Sequence, residues 1–190
     1  MARYRLAGDR VLDLAVLEAA APLLRSPVLG RRLSRREIAD AVGSAISSAG
    51  APPHAAVDLV LADDALLAEL NATHMGVRGP TDVLSFPLLP PGAYPPHEGG
   101  ARPEARGGPA FVLPPRARTH LGEIVVSVER AVSQADEGRG GQAGDRRWAP
   151  ADELLLLVTH GALHLCGWDH ADAVEQVAMR RLERALLEAR

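Results

Sequence analysis

Three histidines, His160, His164 and His170, fall within the short stretch HGALHLCGWDH. Neutral imidazole is a favoured ligand for zinc and similar divalent ions. His160 and His164 are four residues apart, so they share one face of a helix, one turn above the other. His170 cannot reach the same ion if that helix runs straight on, and the chain must therefore turn back after Leu165 or Cys166. Gly167 permits the turn, because glycine just past a helix end takes positive φ without steric cost. Three protein nitrogens leave one tetrahedral position for water, the mark of a catalytic rather than a structural zinc site. Water polarised in this way ionises near neutrality and can attack a substrate. A lone histidine on an apolar helix is more often a packed core residue than a ligand. With only 7 histidines in 190 residues, however, this spacing with its intervening glycine favours a metal.

The same spacing occurs in metzincin proteases, whose first histidine is followed directly by a glutamate general base. Gly161 stands at that position here, and peptide hydrolysis without the base would lose the orders of magnitude that base catalysis supplies. Cys166, two residues past His164, points to another side of the helix and reads as a small core residue. Asp169 either orients an imidazole or caps the last helix, with capping the simpler reading.

Composition bounds what can surround such a site. A chain of 190 residues is one domain by size and can bury a substantial core, which aliphatic side chains must fill because aromatics make up only 3%. One cysteine excludes an internal disulfide and fits a reducing cytoplasm. No apolar run approaches a membrane span and the first residues lack a signal-peptide pattern, so a soluble cytoplasmic protein without a membrane partner is expected. The formal charge of −3 provides no global attraction to nucleic acid, leaving that role to local basic patches. Every basic side chain other than histidine is arginine. Arg31, Arg32, Arg35 and Arg36 cluster before a helix, where a solvated helix start is favoured over a nucleic-acid contact.

The elements that position the histidines follow from periodicity and punctuation. Arg10 to Leu17 alternates loosely as a strand would, although the alanines after it would also suit a helix. Ser34 with Glu37 is a capping-box pattern that opens a helix from about 35 to 49. Residues 56–62 alternate as a half-buried strand, and Asp63 or Asp64 caps a helix through Leu70. Residues 82–86 form a short strand closed by Pro87. Asn71 can end the preceding helix, and Thr81 and Asp82 can hydrogen-bond a turn after Pro80. From 88 to 119 the sequence is rich in proline, glycine and arginine and predicts a flexible surface insertion, with His97 and His120 solvated in or beside it. Residues 122–128 are a nearly continuous apolar strand, followed by a helix over about 129–137 and a glycine-rich loop at 138–144. Pro150 and Asp152 start the metal helix, which is apolar all round at Leu154–Val158 and hence central to the domain. Residues 171–190 form an amphipathic helix with Val174, Val177, Ala178, Leu182, Ala185 and Leu186 toward the core. Strands mixed with helices give an α/β (α+β) class in a single domain spanning 1–190.

Laid out this way, the chain resembles the YbeY family of bacterial endoribonucleases, which take part in ribosomal RNA maturation and ribosome quality control. HGALHLCGWDH (160–170), LNATHMGVRGPTDVLSFP (70–87) and LGEIVVS (121–127) carry the resemblance, the last with Glu123 where the family usually has aspartate. It implies a small, mostly parallel sheet with one antiparallel strand packed among helices, and a strand rather than a helix at Arg10 to Leu17. It also implies a metalloprotease-like helix-turn site in which His160, His164 and His170 bind zinc, one ion per chain. The implied substrate is single-stranded ribosomal RNA, and the implied partner is the ribosome or its small subunit. The family has an arginine four residues after the asparagine matching Asn71, thought to act on the RNA phosphate, whereas this chain has Met75, which lacks the charge and forked donors. Arg78 is the candidate to replace it as a catalytic and substrate-binding residue if its loop folds back. His160 is the other catalytic candidate, and Ser85 the other for substrate binding. Met75 also motivates an alternative, a ribosome-assembly or RNA-binding factor with a structural metal and little nuclease activity. Metal-dependent hydrolysis of another substrate is the third reading.

Overall fold

Alternating side chains build the centre of the sheet. In β3 (Ala55–Ala62), Ala55, Val57, Leu59 and Leu61 are buried while Ala56, Asp58 and Val60 are half-buried on the opposite face, as the two-residue repeat of a strand requires. The computed structural model describes residues 1–98, 117–136 and 149–189. β3 pairs in parallel with β2 (Val11–Val16) and with β5 (Thr119–Ser127). β1 (Ala2–Arg5) joins β2 and β4 (Val83–Pro87) joins β5, both antiparallel, giving the order β1-β2-β3-β5-β4. The mostly parallel sheet thus carries an antiparallel strand at each edge, one more than the resemblance implies.

The two faces of the sheet are covered differently. Leu12, Leu14, Leu59, Ile124 and Val126 face the main core, shared with α2 (Arg35–Ser48) and α5 (Pro150–Leu165). On the other face Ala62, Leu84 and Val125 meet Leu67 of α3 (Asp64–Leu70) in a smaller cluster. The shorter α1 (Ala21–Arg25) and α4 (Val128–Asp136) and the terminal α6 (Ala173–Glu188) complete the helices.

Capping fixes where these helices begin. Ser34 Oγ accepts from the Glu37 N–H at 3.1 Å, and Glu37 accepts from the Ser34 N–H at 2.8 Å. These Ser34 contacts, with Arg31 beside them, hold the Glu37 carboxyl at about 2. Asp63, rather than Asp64, caps α3 by accepting from Leu66 N–H. Arg31 bonds Glu37 at 2.8 Å and Asp152 of α5 at 3.4 Å, so this member of the basic cluster ties two helix starts together. Arg10 donates to Pro52 O, Ala7 O, Ser47 Oγ and Ala51 O, joining the start of β2 to the end of α2.

Three local expectations are corrected. α6 buries only part of the expected face: Ala178 is buried and Leu182 and Leu186 pack on the core, but Val174 and Val177 are 57% and 56% exposed and Ala185 is exposed, whereas Glu175, Met179 and Glu183 are buried. The helix is rotated so that Glu183, whose carboxylate pairs with His160, faces inward. Asp172, not Asp169, caps α6, accepting from Val174 and Glu175 N–H. Within residues 88–119, His97, expected to be solvated, is half-buried, with its Nε2 3.1 Å from Gly167 O. Residues 99–116 of that stretch, and the loop expected at 138–144, lie outside the described residues. His120 is not simply solvated either, since its Nε2 lies 3.1 Å from Asp58 Oδ2.

Candidate metal centre

α5 is buried along most of its length, including every residue from Leu154 to Thr159. This rigid element presents His160 and His164 on one side and ends at Leu165. The chain then turns: Cys166, Gly167 and Trp168 N–H groups bond back to Leu163, His164 and Leu163 carbonyls, and Gly167 has φ +80°. His170 is brought back over the helix end as its spacing predicts. One ring nitrogen from each of the three histidines falls within 4.8 Å of the others. The nearest pair, His160 Nε2 and His164 Nε2, are 3.0 Å apart.

These distances fit a single ion. Ligand nitrogens about 2.0–2.1 Å from a tetrahedral zinc are about 3.3 Å from each other, so the close pair is already at ligand spacing and the exposed His170 ring needs only a small adjustment. The donor chemistry fits as well. His160 Nδ1 donates to Glu183 Oε1 at 2.6 Å, and Glu183 is only 2% exposed. That bond fixes the tautomer, leaving the Nε2 lone pair of His160 directed at the shared space. Burial first, then repulsion from His160 and His170, lowers His164 to about 4, which keeps it in the neutral, ligating form. Cys166 is fully buried and burial pushes its thiol up to about 12, so it is a core residue, as expected, and no ligand.

Two cavities adjoin the triad and share Asp82, His160 and His170. One, of about 370 Å³, runs along α5 and α6 past Gln134, Glu153, Gln176, Arg180 and Glu183. The other, of about 480 Å³, lies between β4 and the helix turn and is walled by Met75, Thr81, Ser85, Gly167, Trp168 and Asp169 among others. Asp82 is held in place between them: Oδ1 accepts from Val83 N–H and Thr81 Oγ1–H, and Oδ2 accepts from Gln134. Ser85 reaches the second cavity, its hydroxyl donating to Gly161 O at 3.0 Å. Asn71 is buried and donates to Gly79 O at 2.9 Å, closing the loop after α3 rather than touching the triad.

That loop puts Met75 on the cavity wall, whereas Arg78 is exposed and does not line it. Asp169 Oδ1 accepts from the adjacent His170 N–H, which shapes the turn that carries the ligand. Sequence reasoning did not single out Glu183, and it read Asp82 only as a turn residue, a part it does play through Thr81 and Val83. Glu183 had a signal, being one turn after Met179 on the helix face that turns out to be buried.

Fold and site together define a class: a mixed α/β domain that presents three histidines, from a central helix and the turn after it, to one metal-sized space. Within that class, the sequence profile of the family described as Endoribonuclease YbeY matches residues 30–190. The chain belongs to the YbeY family. An Endoribonuclease YbeY from Roseiflexus sp. (strain RS-1) is 40% identical over 134 residues, covering 70% of this chain and 69% of its own. One from Rhodococcus erythropolis is 37% identical over 161 residues, covering 84% and 76%. A solution structure from Thermotoga maritima aligns with 94% of this chain and 90% of its own, at a TM-score of 0.47 and 18% identity.

Proposed function

We propose that this protein is a zinc-dependent endoribonuclease that cleaves single-stranded ribosomal RNA during ribosome maturation in the cytoplasm. The observation that carries the proposal is the triad with its buried Glu183 partner, in a chain whose relatives are described as endoribonucleases. Zinc held by His160, His164 and His170 would activate water and stabilise charge on the phosphate. His160 is the catalytic ligand whose orientation Glu183 sets. The Ser85 hydroxyl, already donating to Gly161 O, keeps its oxygen lone pairs for a ribose hydroxyl entering the cavity. Arg78 supplies the phosphate contact that Met75 cannot. It is carried between Gly76 and Gly79, both at positive φ and with open space around them, so the loop can fold toward the cavity. The ribosome, through its small subunit, presents the RNA, and the proline-rich stretch 88–119 is an insertion into one domain. The test is cleavage of a single-stranded ribosomal RNA fragment by zinc-loaded protein: His160→Ala should abolish it and Arg78→Ala should reduce it. Equal cleavage by His160→Ala protein would refute the metal mechanism.

One observation favours a second reading. Among the described residues no arginine lines the cavity that holds Met75, whose wall carries the carboxylates of Asp82 and Asp169 instead. A ribosome-assembly factor with a structural metal and weak nuclease activity accommodates that wall. In depleted cells, full rescue by protein with all three histidines replaced would select this reading over catalysis.

A further inference from the structure

The wall of the Met75 cavity holds one large aromatic surface, and it stands between two metal ligands in the sequence. Trp168 lines this cavity together with His164 and His170. Its indole is held from outside by His97, whose ring stacks on it with centroids 4.0 Å apart and planes 9° from parallel. His97 is anchored in turn through Nε2 to Gly167 O at 3.1 Å, and it does not line the cavity. The backbone under the indole is equally constrained: Trp168 N–H bonds Leu163 O at 3.2 Å, and a side chain on Gly167 would meet Pro91 Cα at 3.0 Å. A preordered aromatic ring beside a metal-sized space is suited to a flat apolar face. Among the parts of an RNA strand, only the base has one. Bases stack on protein aromatics with about 1–3 kcal/mol per base and little dependence on base identity.

We propose that Trp168 is the stacking platform for the base of the nucleotide next to the cleaved phosphodiester, and that His97 is a positioning residue that holds the indole in place. The inference rests on the RNA-cleaving reading of the triad and deepens it. A base can reach Trp168 only after leaving its own helix, so the platform also makes the site select single strands over duplex.

The experiment uses zinc-loaded protein in a Trp148→Phe background, in which Trp168 is the only tryptophan left. Stopped-flow mixing with a single-stranded RNA oligonucleotide should quench Trp168 fluorescence before turnover, and a duplex of the same sequence should not. In steady state, Trp168→Ala should raise KM about 5- to 150-fold with kcat within about threefold and zinc content unchanged, while Trp168→Phe retains most of the affinity. His97→Ala should raise KM by a smaller factor, and His97→Phe, which can stack in its place, should restore it. Absence of quenching, or an unchanged KM for Trp168→Ala, would overturn the platform; if that variant does not fold, quenching and the phenylalanine variant still decide. Quenching by RNA without any cleavage would leave the platform standing and remove the nuclease reading instead.

Discussion

Replacing Glu183 should weaken metal binding without touching a ligand. Its carboxylate is 2% exposed and accepts a 2.6 Å bond from His160 Nδ1–H, while the same ring's Nε2 faces His164 Nε2 at 3.0 Å. In Glu183→Ala the imidazole can rotate or change tautomer, and loss of such an outer partner typically lowers metal affinity 10- to 100-fold, about 1.4–2.7 kcal/mol. Glu183→Gln separates orientation from charge. The amide oxygen still accepts from Nδ1–H, so only the difference between a charged and a neutral hydrogen bond is lost, about 1 kcal/mol or about fivefold. Zinc affinity measured by competition with a chromophoric chelator should therefore fall in the order wild type, Gln, Ala. The extra thermal stability that saturating zinc confers should shrink in the same order. Circular dichroism of the zinc-free variants checks that the fold persists. A folded Glu183→Ala protein with wild-type zinc affinity would refute the claim that this carboxylate sets the ligand geometry.

Other perturbations address the fold around the site. Gly167→Ala places a side chain at φ +80° against Pro91 Cα; it should cost about 1–2 kcal/mol by urea denaturation and lower zinc affinity by displacing His170. Ser34→Ala removes the α2 cap and should cost about 1 kcal/mol, lowering Tm by about 2–4 °C, with zinc affinity unaffected. The zinc-free protein should lose stability as pH falls from 6.5 to about 4: the folded state keeps His164 neutral until about 4, while the unfolded chain binds a proton from 6.5 downward. Urea titrations across that window should show this fall, and His164→Gln should flatten it.

Much of this architecture is written in local sequence. The Ser34–Glu37 pair sets the start of α2, the alternation of residues 56–62 sets β3, and the histidine spacing with Gly167 gives the helix-turn site with one ring nitrogen of each histidine within 4.8 Å of the others. What escaped depends on long-range contacts. β1 is only four residues long and alternates half-buried with exposed positions, so its place comes from pairing with β2 and from the Arg3–Asp13 ion pair. The inward face of α6 is legible at Ala178, Leu182 and Leu186 but not beyond them, because hydrophobicity predicts burial of Val174 and Val177, whereas Glu183 is buried by a partner 23 residues away. His97 looks solvated in a proline-rich stretch until the fold brings Trp168 beneath it.

Gly161 bears on how this site could change over evolution. A Cβ there would lie 2.7 Å from Ile124 Cγ2, 3.0 Å from Val83 Cγ2 and 3.1 Å from Ser85 Oγ, so the position faces the sheet rather than the metal. Any side chain at 161 would push the metal helix off β4 and β5 before it could serve as a base. A single mutation to glutamate therefore yields a destabilised protein rather than a nascent peptidase. To reach protease chemistry, a lineage would first have to trim Ile124 or Val83 and lose core packing with no gain in activity, a valley that keeps this histidine arrangement apart from the peptidases that share its spacing.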